Sequence, residues 1–258
     1  RSTLFPYTTL FRSTNLDLWS AHQASKLRLF ARVLETTGRQ LDPEVLTLGF
    51  ARRAATYKRA DLLFSNLERF LEVAGNRKVQ FIFAGKSHPS DNGGKALLQK
   101  IRKAARDLEE SIPIVFIDNY NMEIASLITQ GVDLWLNTPM RPREASGTSG
   151  MKCALNGIMN FSVLDGWWIE GWIEDVTGWS IGPEPNGGDL SDHYDESLDA
   201  IDLYEKLEKK IIPTYYENHD KWLDMMRHTI ALNASFFNTH RVVREYASKA
   251  YSIDFRGM

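Results

Sequence analysis

Five short apolar runs restrict this chain to few folds. They are VLTLGFA at 45–51, VQFIFAG at 79–85, IPIVFID at 112–118, VDLWLNT at 132–138 and IMNFSVL at 158–164. None alternates apolar with polar residues, as a strand wetted on one face would. They read instead as strands covered on both faces. Helical patterns separate them: 57–75 closed by Gly75, 95–110, 122–131 closed by Gly131, and a stretch entered after residue 138. A further helix is expected over 15–37, where Leu16, Trp19, Leu27, Phe30 and Leu34 recur at helical spacing, and residues 199–251 read as several helices. Strand–helix alternation of this kind implies an α/β fold, a Rossmann-like doubly wound parallel sheet with right-handed crossovers. Ligands of such sheets bind beyond the carboxyl ends of the strands. The informative loops are therefore those after Ala51, Ala84, Asp118 and Thr138.

Composition narrows the functional classes. The 258 residues carry 31 basic and 33 acidic side chains, a net charge of -2, which argues against a broad nucleic-acid-binding face. A local anion site stays open. Cys153 is the single cysteine, so no intrachain disulfide forms, and a cytoplasmic setting is expected. No apolar run approaches a membrane span, and no membrane partner is expected. His22 and His88 show no metal-ligand spacing, and no metal is expected.

Three motifs carry chemistry. In FARRAATYKRAD, residues 50–61, Arg52, Arg53, Lys58 and Arg59 follow the first strand on the ligand side of the sheet. Guanidinium forks and an ammonium suit phosphate, although a solvated basic turn has the same composition. In EASGTSGMK, residues 144–152, glycines allow close backbone approach, and Thr148 or Ser149 can cap the next helix. Free N–H groups there favour a phosphate. Lys152 falls early in that helix, where the helix end and the basic cluster disfavour an ammonium and favour a neutral amine able to condense with an aldehyde. A cofactor with both a phosphate and an aldehyde, pyridoxal 5'-phosphate, answers both features; an ordinary capped helix with an outward-reaching lysine also fits. DGWWIEGWIEDVTGWSIG, residues 165–182, holds four of the seven tryptophans and reads either as a sugar-binding surface or as a hydrophobic loop packed on the sheet.

The ordered set ARRAATYKR, VQFIFAGKSHP, VDLWLNTPMRPREASGTSGMKCALNG and SVLDGWW resembles the C-terminal part of the α-glucan (glycogen, starch or maltodextrin) phosphorylases, the shorter bacterial and archaeal type above all, from about Leu18 to Tyr251. The resemblance implies the second Rossmann-like domain of a GT-B glycosyltransferase, with the active site in the cleft between two domains. It implies pyridoxal phosphate joined to Lys152 as a Schiff base, its phosphate held by Thr148, Ser149, Gly150 and Arg52, with Tyr120 packed nearby. Arg53 and Lys58 would hold the substrate phosphate, and with Lys152 they form the expected catalytic set. Glu144, Ser146 and Gly147 would bind the glucosyl hydroxyls. The implied reaction is reversible phosphorolysis: α-1,4-glucan and inorganic phosphate give glucose 1-phosphate and a shortened chain. The full-length parent is expected to form homo-oligomers. The sequence departs from the animal enzymes at Ala55 and Thr56, where those have a His-Glu pair, and at Asn121, where those have arginine.

The expected organisation follows. Residues 1–13 read as one frame of a translated sequencing adapter, and source codons differing from the adapter would dispose of that idea. Residues 14–40 are a helical segment from the inter-domain region, 41–235 the Rossmann-like cofactor and phosphate domain, and 236–258 a C-terminal helix returning toward a missing N-terminal domain. A chain with only one side of the cleft is expected to be inactive alone. The alternatives are a glucan-binding module without catalysis and a nucleotide-sugar glycosyltransferase of the same fold; neither needs Lys152.

Overall fold

The structure is a computed structural model that describes residues 14–75, 78–184 and 197–251. The expected adapter segment, 1–13, lies outside the described residues. Six parallel strands form one sheet in the order β3-β2-β1-β4-β5-β6. They are β1 (Leu46–Ala51), β2 (Val79–Ala84), β3 (Ile114–Ile117), β4 (Leu134–Asn137), β5 (Met159–Val163) and β6 (Gly178–Ile181). The helices are α1 (Asn15–Thr37), α2 (Leu67–Ala74), α3 (Asn92–Asp107), α4 (Met122–Gly131), α5 (Thr148–Ala154), α6 (Trp168–Gly171), α7 (Ser197–Lys206), α8 (Ile212–Glu217), α9 (His219–His228) and α10 (Thr239–Glu245). Short π-helical turns at Leu207–Ile211, Thr229–Ala234 and Tyr246–Ala250 join or extend the last four.

The apolar runs do what their composition dictates. Every residue of β1, β2, β4 and β5 is buried, because each strand is covered on both faces. Leu46, Leu48, Phe50, Phe81, Phe83, Leu134, Leu136 and Phe161 enter one core with α2, α3 and the C-terminal helices. Ala51, Ile82, Ala84, Val115, Ile117 and Trp135 point the other way, onto Leu29, Phe30 and Val33 of α1 and Ile124 and Ile128 of α4. This two-layer burial makes the sheet doubly wound, the expected α/β class.

Three expectations need correction. The helix expected over 57–75 is broken into 3-10 turns at Thr56–Lys58 and Leu62–Phe64, followed by α2. Arg59 adopts a left-handed conformation at φ 43, and Asn66 caps α2 through its side chain. The tryptophan-rich segment contains a sixth strand, β6, paired in parallel with β5. Trp167, Trp168 and Trp179 are buried, so the packed reading of that segment holds for these three.

The third correction concerns α1. Its span is as expected, but Leu16, Leu27 and Leu34 are exposed, and the buried row is His22, Lys26, Leu29, Phe30 and Val33. Two polar residues occupy this row because Asp133, just before β4, satisfies both. Lys26 Nζ donates to Asp133 Oδ2 at 2.7 Å and to the Val45 carbonyl at 2.9 Å, and His22 Nε2 bonds Asp133 Oδ1 at 2.7 Å. Asp133 also accepts the Thr47 N–H at 2.7 Å, which ties α1 to the amino ends of β1 and β4.

Candidate functional site

At the opposite, carboxyl end of the sheet, β1 and β4 deliver the charged residues. Ala51 ends β1 and Arg52 follows it; Asn137 ends β4. Arg52 donates to Glu144 Oε2 at 2.7 Å and to the side-chain oxygen of Asn137. Lys58 donates to the same Glu144 oxygen at 2.6 Å and lies over the Tyr57 ring, its Nζ 4.6 Å from the centroid. These three side chains are no more than about a tenth exposed. Burial pulls the Arg52 guanidinium below its usual range, and the charge of Glu144 opposes it. The Arg52 Nε is buried and has no hydrogen-bond partner among the described residues. A desolvated cation with an unmet donor is a suitable host for an anion.

The loop from Glu144 to Gly150 is held by β5 and the turn after it. Asp165 accepts the Glu144 N–H at 2.8 Å and the Gly166 N–H at 2.9 Å, and Trp167 donates its N–H to the Ser146 carbonyl at 2.8 Å. Burial pushes the Asp165 carboxyl up, and the two N–H bonds only partly offset this. The loop enters α5 through Gly147, at φ 88, a backbone region that glycine reaches without strain. The side-chain cap expected from Thr148 or Ser149 is not formed: both lie inside α5, and its N-cap is Gly147, which has no side chain to offer. Lys152 correspondingly falls in the last turn of this seven-residue helix rather than its first. It is exposed, and its amine makes no hydrogen bond or ion pair among the described residues.

Tyr120 approaches this end from the loop after β3. Its hydroxyl donates to the Ala51 carbonyl at 3.4 Å, and burial raises its phenol, with the neighbouring Cys153 adding and Arg52 opposing. The structure thus joins Arg52, Lys58 and Glu144 directly and brings Tyr120 beside them. Arg53 and Thr148 are exposed, Ser149 is half-buried, and none of the three has a side-chain hydrogen bond or ion pair among the described residues. Arg59, counted in the basic cluster, turns inward: it donates to the Thr138 and Pro139 carbonyls at 3.0 and 2.8 Å and pairs with Asp199. Asn121, where the animal enzymes have arginine, caps α4 by accepting the Ile124 N–H at 2.9 Å.

Sequence comparison decides what this constellation belongs to. The carbohydrate phosphorylase family model matches residues 12–178, more than half of the chain and all of the loops just described. The chain belongs to the carbohydrate phosphorylase family. It is 44% identical to the maltodextrin phosphorylase of Thermococcus litoralis over 250 residues, which cover 92% of this chain and 30% of that protein. It is 39% identical to the glycogen phosphorylase of Aquifex aeolicus, covering 92% of this chain and 37% of the relative. For the glycogen phosphorylase of Mycobacterium tuberculosis the identity is 43%, covering 82% and 25%. The chain therefore spans about a third of the length of these relatives.

Within this cluster, sequence reasoning missed Asn137, Asp165 and Trp167, although all three lie in motifs named above. For Asn137 and Asp165 the signal was positional: the first ends β4 and the second directly follows the apolar run 158–164, where strand ends meet ligands.

Proposed function

We propose that this chain supplies the cofactor- and phosphate-binding part of an α-1,4-glucan phosphorylase. The observation that carries the reading is Lys152: an exposed amine without an anion partner among the described residues, on the helix that follows the loop of Glu144, whose carboxylate joins the buried Arg52 and Lys58 cations, in a phosphorylase-family sequence. The unmet Nε of Arg52 fits an anionic group of a bound cofactor. Pyridoxal 5'-phosphate would attach at Lys152, with Arg52, Thr148, Ser149 and Gly150 at its phosphate and Tyr120 alongside. When bound, it supplies a phosphate that assists proton transfer to the glycosidic oxygen.

The protein's own residues then have distinct tasks. Arg53 and Lys58 hold inorganic phosphate against the glucosyl carbon and stabilise the charge that develops as the glycosidic C–O bond breaks and the C–O bond to phosphate forms. Glu144, Ser146 and Gly147 bind the glucosyl hydroxyls. Both cations land on Oε2 of Glu144, which leaves Oε1 for a sugar hydroxyl. The polymer substrate, a homo-oligomeric parent and a cytoplasmic setting go with this reading; among the described residues no helix is long and apolar enough to cross a membrane.

The test is chemical. Purified chain is mixed with pyridoxal 5'-phosphate, reduced with borohydride and mapped by peptide mass. The label is expected on Lys152 and is expected to vanish in Lys152→Ala. Labelling that persists on another lysine contradicts the assignment. No label at all favours a glucan-binding module or a nucleotide-sugar transferase.

A further inference from the structure

Asn137 occupies a singular place in the site. It ends β4, and its partner across the sheet in β5 is Ser162. Ser162 Oγ donates to the Val163 carbonyl at 2.9 Å. Its one hydrogen is thereby used, so the hydroxyl can only accept from Asn137, whose Nδ2 donates to it at 3.0 Å. That fixes the amide: nitrogen toward β5, oxygen toward β1. The oxygen accepts from Arg52 Nη1, while Arg52 Nη2 donates to Glu144. Each terminal nitrogen thus has a partner, and the buried Nε has none among the described residues.

We propose that Asn137 is a positioning residue for anion binding. Arg52 and Lys58 share the single charge of Glu144, which leaves the cluster one positive charge in excess; Asn137, oriented by Ser162, presents a neutral oxygen that aims the guanidinium without removing that excess. A carboxylate at 137 would grip Arg52 more strongly and cancel the excess charge, and an anion would then meet two cations already matched by two carboxylates. An apolar residue would leave the guanidinium untethered on one side. The amide is the side chain that holds geometry and spares charge. This inference rests on the proposed cofactor reading, in which Arg52 serves a phosphate.

The test compares two ligands that differ by one phosphate. The 258-residue chain is titrated with pyridoxal 5'-phosphate and with pyridoxal, and the ratio of dissociation constants is read from cofactor absorption. The wild-type chain should favour the phosphorylated form. Asn137→Asp should cut that preference by about tenfold, the scale of one hydrogen bond to a charged group. Ser162→Ala, which frees the amide to flip, should cut it by about threefold, and Ser162→Thr should restore it. In an Arg52→Ala background, Asn137→Asp should cause no further loss, because its effect runs through Arg52. An undiminished preference in Asn137→Asp, with Arg52→Ala diminished, overturns the positioning role alone. A loss in Asn137→Asp of equal size with and without Arg52 assigns the effect to fold damage and also overturns it. A wild-type chain with no preference overturns the cofactor reading and this inference together.

Discussion

Gly150 shows how little room the site loop has. A Cβ built there would lie 2.4 Å from Asn160 Oδ1 and 2.9 Å from Trp167 Nε1, against two buried side chains. Gly150→Ala is therefore expected to destabilise the chain by about 1–3 kcal/mol, the usual scale of overpacking, in a urea titration. The same crowding explains why Asn160 and Trp167 matter without carrying charge: they form the floor under the turn that delivers Glu144 and Lys152. The chemistry of these residues was legible in the sequence, because Lys152, Glu144 and the basic cluster stand in a spaced motif. Their supports were not. Asn137 acts through a hydrogen bond across strands and Asp165 through one between loops, and no local pattern distinguishes a strand-end amide that orients an arginine from one that faces water.

Among the elements, α1 is the most instructive. Its length could be read from spacing, but its buried face could not, because a hydrophobic count ranks Leu27 above Lys26. The buried triad at Asp133 reverses that ranking. Burial opposes the Asp133 charge, yet the Lys26 ammonium and the His22 hydrogen bond outweigh it and hold the carboxyl below its ordinary value of 3.8. The folded state thus releases the proton more readily than the unfolded state. This stabilisation is complete above 3.8 and disappears as pH falls through the lowered folded value. Lys26→Met alone should cost about 3–5 kcal/mol by stranding a buried carboxylate, whereas Lys26→Met with Asp133→Asn should recover most of that loss. Thermal melts at neutral and acid pH check both statements: the double variant should lose less stability on acidification than the wild-type chain. The missed β6 and the broken 57–75 helix have a related cause. Gly178–Ile181 is too short and too mixed to stand out, and the 56–66 stretch follows tertiary demands of the site rather than its helical period.

For the whole molecule, the decisive fact is extent. The chain spans about a third of its relatives' length. It carries one wall of a proposed two-walled cleft, so purified chain should form little or no glucose 1-phosphate from glycogen and phosphate in a coupled assay. Robust turnover would overturn the two-domain reading while leaving family membership intact. The doubly wound sheet was visible in outline because five strands are continuous apolar runs; the strand order was not, since parallel pairing is set by crossovers rather than by neighbours in sequence.

One consequence of the Arg52–Asn137–Ser162 row concerns assembly. Its members are 85 and 25 residues apart in sequence and come from the end of β1, from β4 and from β5. They meet only when three separately delivered strands stop at the same level. A slip of β4 by one residue would offer Leu136 or Thr138 instead and turn Asn137 to the other face. Capture of a phosphorylated ligand therefore counts molecules whose strands have come together in step, a quantity that helix content by circular dichroism does not distinguish.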